Sequence, residues 1–193
     1  MTLVVARSWG DHLVVSDAMS TDLHGTTSPR RDVHQLKAVI LSRRFCVAFA
    51  GRISRAQVAL AGWQEGSDLR ATIEHFLRVH RDSHGDPDFL IASWGERLCL
   101  TRIRRGQAEE ELSVAHVGSA AAFSAFQEHV AVNEKPAEFA DDKGARLCNA
   151  MDAVITGGRF PDVGGFAVHV RSCLGGFRYM ERDGSRRDRR RRS

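Results

Sequence analysis

Strand-like and helix-like stretches come in blocks rather than in strict alternation, and that order constrains the fold more than any other feature. Residues 2–8, 12–18, 34–41 and 45–50 are short runs rich in Val, Leu, Ile, Ala and Phe, and they predict four strands. Helical spacing follows at 53–64 and 68–80. Strands are expected near 88–94, 97–104 and 110–117, helices at 119–131 and about 142–156, and strands at 164–171 and 176–181. Strict β–α alternation would call for a parallel sheet, whereas blocks of strands and blocks of helices predict α+β layers. Two antiparallel sheets packed face to face, each covered by a helix pair, would use every apolar face.

Local signals sharpen the outline. Trp9-Gly10-Asp11 predicts a hairpin turn between the first two strands, and the polar stretch 19–33, with Gly25 and Pro29, predicts a loop. In the first helix the apolar positions are Ile53, Val58, Leu60, Ala61 and Trp63, with Ser54 placed to cap its start. The second shares Ile73, Phe76, Leu77 and His80 on one face, with Leu69 a turn earlier. Gly118-Ser119 opens the third, which carries Phe123, Phe126 and Val130 on one face. The fourth has Leu147, Met151, Val154 and Ile155, an expected cap at Asp141-Asp142, and a stop at Gly157-Gly158.

A chain of 193 residues predicts one domain, 1–183, followed by a basic tail, 184–193. The tail holds six arginines and one aspartate, a charge of +5, so the net +4 leaves −1 for the rest. A solvated, disordered end is the expected reading of such a run, ahead of contact with nucleic acid. No run of 18 apolar residues exists, and the N-terminus lacks a charged start with an apolar stretch behind it, so neither a membrane span nor a secretory signal is expected. Cys46, Cys99, Cys148 and Cys173 form no CxxC pair and read as reduced, mostly buried cysteines of a cytoplasmic protein. His75, His80 and His84 lack a neighbouring cysteine and are expected to be solvated or partly buried rather than metal ligands. His116 and His169 are expected as hydrogen-bonded strand residues, and no GxGxxG or P-loop pattern occurs.

Several short motifs then fall in a telling order. Thr2-Leu3-Val4-Val5-Ala6 opens the first strand, and Val14-Val15-Ser16-Asp17 ends the second, with Thr21 four residues later. Lys37 precedes Gly51, in Ala48-Phe49-Ala50-Gly51, by fourteen positions. Val117-Gly118-Ser119 precedes the third helix, and Asp162 stands just before Gly164-Gly165. Over residues 2–181 this set resembles proteasome β-subunits and the bacterial HslV-type peptidase. The resemblance implies an N-terminal-nucleophile (Ntn) hydrolase fold, a four-layer αββα sandwich. It implies a threonine peptidase acting on peptides or unfolded proteins, a ring-like homo-oligomer, an ATP-dependent unfoldase as candidate partner, and no cofactor.

Each residue has a chemical use under that resemblance and a plainer alternative beside it. A threonine hydroxyl needs a base, and Thr2, freed of Met1, would bring its own α-amine, ordinarily titrating at about 7.7–8.0. Thr2 is otherwise only the residue after Met1. Lys37 is one of three lysines among 28 Lys and Arg residues, and a compact ammonium would tune the amine and the hydroxyl; it also fits a solvated strand face. Asp17 would pair with Lys37, or end a strand at a turn. Gly51 would offer its N–H to a tetrahedral oxyanion, or simply join a strand to a helix. Ser119 would bond the amine or cap the third helix. Asp162 would orient the serine and the amine, or sit in a loop after Pro161.

Two departures stand out. Thr2 and Asp17 are fifteen positions apart, one fewer than the family pattern, and Val163 stands where the family usually has serine. Either the hairpin turn is shorter, or Met1 takes the threonine's place, which would turn Thr2 away from Lys37 because a one-residue slip flips a strand side chain. The competing expectation is a proteasome-like structural subunit without activity; an amidohydrolase acting on small amides comes third.

Overall fold

The computed structural model describes residues 2–8, 11–19, 35–95, 98–132 and 140–180. Met1, the Trp9-Gly10 part of the predicted turn, Thr21, most of the predicted loop 19–33, and the tail 184–193 lie outside the described residues.

The fold is α+β, with two antiparallel sheets and four helices among the described residues. Strands β1 (Leu3–Ser8) and β2 (His12–Asp17) pair as a hairpin, with Val4 opposite Ser16 and Ser8 opposite His12. β8 (Val114–Gly118) adds on the free side of β1. β9 (Ala167–Cys173) adds on the free side of β2 and carries β10 (Gly176–Tyr179) beyond it. The second sheet runs in sequence order: β3 (Ala38–Ile40), β4 (Phe45–Ala50), β5 (Asp88–Ser93), β6 (Cys99–Arg104) and β7 (Gln107–Glu109).

Alternation along each strand builds three apolar layers. Val4 and Ala6 of β1 and Val14 of β2 face Ala48 and Ala50 of β4 and Leu90 of β5, closing the space between the sheets. The intervening residues Leu3, Val5, Leu13 and Val15 pack on α3 (Ala120–Val132) and α4 (Ala140–Thr156), through Phe126, Leu147 and Met151. Phe45, Phe49, Phe89 and Ile91 of the second sheet pack on α1 (Ile53–Ala61) and α2 (Leu69–Asp82), through Ala56, Ile73 and Phe76. This explains why β1 and β4 read as nearly unbroken apolar runs: each is covered on both faces. A fully buried side chain such as Phe76 contributes about 1.5–3 kcal/mol relative to its exposed state.

Several expectations need correction. The strand expected at 110–117 begins only at Val114, as β8, with Glu111 at a φ of 60° ahead of it, and a short unexpected strand, β7, precedes it at Gln107–Glu109. Four strands therefore stand between the helix pairs, not three. β3 is limited to 38–40 and β9 starts at Ala167 rather than 164. Ser54 does not cap α1: the cap position is Arg52, with no side-chain bond of its own. Val58 faces solvent, and Ala56 and Ala59 are the buried residues of that helix. Asp68 caps α2, accepting from the Ala71 N–H at 2.7 Å. Helix α4 starts at Ala140, so Asp141 and Asp142 lie in its first turn rather than before it. His80 is wholly buried rather than solvated: its Nδ1 donates to the Pro87 carbonyl at 2.8 Å and its Nε2 accepts from the Gly106 N–H at 2.9 Å. His116 stacks on Phe123 with ring centroids 3.7 Å apart, while its Nε2 has no hydrogen-bond partner among the described residues. Among those residues no helix is long and apolar enough to cross a membrane.

Candidate active site

Antiparallel pairing brings the six sequence-identified residues to one end of the molecule. Thr2 precedes the start of β1, Asp17 ends β2, Ser119 follows the end of β8, and Asp162 precedes β9. Because neighbouring strands run in opposite directions, those starts and ends coincide. On the second sheet, Lys37 precedes the start of β3 and Gly51 follows the end of β4.

Lys37 is held at the mouth between the sheets by its own backbone. Its carbonyl accepts the Phe49 N–H at 2.9 Å, which ties it to the second sheet. Two residues earlier, the Gln35 N–H donates to the Ala18 carbonyl at 2.8 Å, which ties the same segment to the end of β2. The ammonium therefore enters the first sheet's edge from across the mouth. It donates to Asp17 Oδ2 at 3.0 Å and to the Thr2 hydroxyl oxygen. The Thr2 hydroxyl in turn donates to Asp17 Oδ1. Thr2 thus points toward Lys37, and the slipped arrangement that would turn it away does not occur.

Asp17 is fully buried and well supplied with donors. Besides Thr2 and Lys37 it accepts the Leu3 N–H at 3.0 Å and the Gly164 N–H at 3.3 Å. The segment bearing Gly164 is fastened to the end of β2, since the Gly164 carbonyl accepts the Ala18 and Met19 N–H groups at 3.3 and 3.0 Å. Burial lowers the Lys37 pKa from its usual value, and the charge of Asp17 and its hydrogen bond oppose that shift. The hydroxyl is left between a cation that stabilises negative charge on its oxygen and a carboxylate that draws its proton, in a setting where water screens little.

The backbone of Thr2 is fixed separately. Its carbonyl accepts the Ser119 N–H at 2.9 Å. Gly118, with φ of 99°, lies so close to that carbonyl that any side chain would collide with it. The same glycine lies alongside the Ala50 side chain, which places the end of β4 next to Thr2. Gly51, the next residue, has φ of 120°, open to glycine and strained for any other residue. The Ser119 hydroxyl accepts the Ala122 N–H at 3.2 Å, so it caps α3. Asp162 is half-buried in the turn leading to Gly164.

Three contributors were not singled out from sequence. Gly118 and Gly164 act through the backbone, and only their positions inside quoted motifs hinted at them. Gln35 acts through an amide that carries no residue signature. Two open cavities, about 500 Å³ beside the β9–β10 turn and about 230 Å³ beside α3, are lined by none of the site residues. Among the described residues no group of three His, Cys, Asp or Glu side chains is placed to hold a metal. No model of a known protein family matches the chain, and the search of curated proteins gives no match either.

Proposed function

We propose that this chain is a threonine-type peptidase of the N-terminal-nucleophile class, built on an αββα Ntn hydrolase fold. The observation that carries this is the buried Thr2 hydroxyl bonded at once to Lys37 and Asp17. A surface or structural threonine has no need of that company, and burying an ion pair for it is costly.

In the proposed reaction the bond between Met1 and Thr2 is first cleaved, freeing the α-amine. The amine takes the hydroxyl proton, and the oxygen attacks the peptide carbonyl. Lys37 holds the oxygen's developing charge and Asp17 holds Lys37. The Gly51 N–H stabilises the tetrahedral oxyanion. The amine then hands its proton to the leaving peptide nitrogen, giving an acyl-enzyme, and water releases it by the reverse proton route. Ser119, whose N–H bonds the Thr2 carbonyl, and Asp162, in the turn before β9, are the candidates to orient the amine. Peptides or unfolded proteins are the substrates, and a ring-like homo-oligomer with an ATP-dependent unfoldase is the expected assembly. A cytoplasmic setting suits four cysteines that are all free thiols.

One observation favours the alternative, a proteasome-like structural subunit: the Ser119 hydroxyl is already engaged by the α3 backbone. Intact-mass measurement and labelling with a peptide epoxyketone separate the two. Loss of Met1, a single adduct on Thr2, and peptidase activity abolished by Thr2→Ala support the enzyme. A retained Met1 with no adduct supports the structural subunit.

A further inference from the structure

The loop between α2 and β5 brings Asp86 beneath the start of α1. Asp86 Oδ1 accepts the Arg52 backbone N–H at 2.8 Å. The same oxygen packs so closely against Gly51 that a Cβ there would have to displace it. Helix α1 lacks a capping side chain of its own, and this carboxylate, supplied from 34 residues further along the chain, takes that role.

Gly51 is thereby held from both sides. The Ala50–Asp88 pairing of the β4–β5 ladder fixes the peptide that carries the Gly51 N–H. The Asp86–Arg52 bond fixes the peptide that follows. The loop bearing Asp86 is itself anchored on the buried His80, whose Nδ1 donates to the Pro87 carbonyl at 2.8 Å and whose own carbonyl accepts the Gly85 N–H at 2.8 Å.

We propose that Asp86 is a positioning residue that aims the Gly51 N–H, a role that rests on Gly51 serving as oxyanion donor in the reaction above. A backbone donor stabilises a transition state only if its direction is set beforehand, and a glycine at φ of 120° has wide freedom unless its neighbours remove it. Asp86 is half-exposed, so solvent screens its charge, and its contribution lies in the acceptor oxygen. Asparagine keeps that oxygen and alanine does not.

The test compares wild type, Asp86→Ala and Asp86→Asn in the full-length chain. Turnover is read on a library of fluorogenic tripeptide amides, and amide exchange at Arg52 and Gly51 by NMR. For Asp86→Ala the expected result is Arg52 exchange faster by about tenfold or more, and kcat lower by about tenfold with KM within about threefold. Asp86→Asn should recover most of both. Unchanged Arg52 exchange in Asp86→Ala overturns the proposal, as does faster exchange with unchanged kcat, or an asparagine variant as impaired as the alanine one. A wild type whose turnover is indifferent to Thr2→Ala defeats the peptidase function and the positioning role together; the exchange data then judge the Asp86–Arg52 clamp alone.

Discussion

The Lys37 ammonium lies 3.0 Å from the Asp17 carboxylate, with 4% and 0% of the two side chains exposed. Removing one partner of such a pair strands the other charge, which costs about 3–5 kcal/mol. The two removals are not equivalent here. Without Lys37, Asp17 keeps the Leu3 and Gly164 N–H groups and the Thr2 hydroxyl. Without Asp17, the ammonium retains only the Thr2 oxygen among its described partners. Urea unfolding should therefore show Asp17→Ala at the upper end of that range and Lys37→Met at the lower end. The reverse order would refute this account of where the pair's stability resides.

The same burial sets an alkaline limit on activity. Lys37 must be cationic to support the Thr2 oxygen, and desolvation, outweighing the attraction of Asp17, brings its pKa below the usual 10.5. Peptidase kcat should then fall reversibly on the alkaline side with a midpoint below 10.5. The sign for stability is opposite. Between the lowered folded value and 10.5 the unfolded chain holds the extra proton, so this group's contribution rises with pH. Cys46 and Cys148, pushed up to about 12 and about 11 by burial, work against it above their usual 9.0. Activity lost while circular dichroism stays native is the expected pattern; a limb at or above 10.5 contradicts it.

Acid should weaken the fold through His116. Desolvation chiefly, then the charges of Arg102 and Arg104, lower its pKa from 6.5 to about 4. Between those values the unfolded chain binds the proton and the folded one does not, so stability falls as pH drops from 6.5 toward 4. His12, also lowered by burial, acts in the same direction. His116→Phe keeps a ring against Phe123 and removes the titration. Its urea midpoint should fall less than wild type's between pH 7 and pH 4.5; an equal fall would clear His116 of the effect.

The order of strands and helices forecasts α+β layers, with two facing antiparallel sheets and a helix pair on each as the arrangement that would use every apolar face; periodicity alone leaves that arrangement open, and the structure has the two sheets. The same order also puts Thr2, Asp17, Gly51, Ser119 and Asp162 at or beside strand ends, and antiparallel pairing turns those ends into one neighbourhood; Lys37, expected inside a strand over 34–41, instead stands just before β3. What stayed hidden depends on contacts distant in sequence. Nothing near Ser54 reveals that Asp86 caps α1 from another loop. Nothing in Gln35 shows that its amide fastens Lys37's segment to Ala18. β7 is short and largely exposed, tied to β6 by its backbone ladder and a side-chain ion pair between Arg102 and Glu109, and three residues leave no periodic trace.

Gly118 offers the sharpest separation between folding and chemistry. Its φ of 99° is strained for an L side chain, and a Cβ there would run into the Thr2 carbonyl. Backbone strain of this kind costs about 1–3 kcal/mol, and the collision leaves Thr2 little choice but to shift. A shift breaks the Ser119–Thr2 backbone bond first, since that bond closes the same turn. The hydroxyl then leaves Lys37 and Asp17, although their ion pair and the amides on Asp17 can persist. Gly118→Ala should accordingly unfold about 1–3 kcal/mol more easily yet lose about 10²-fold or more in kcat, well beyond what so small a loss of folded population explains. Activity that declines only in step with the unfolded fraction would show that the position of Thr2 does not depend on Gly118.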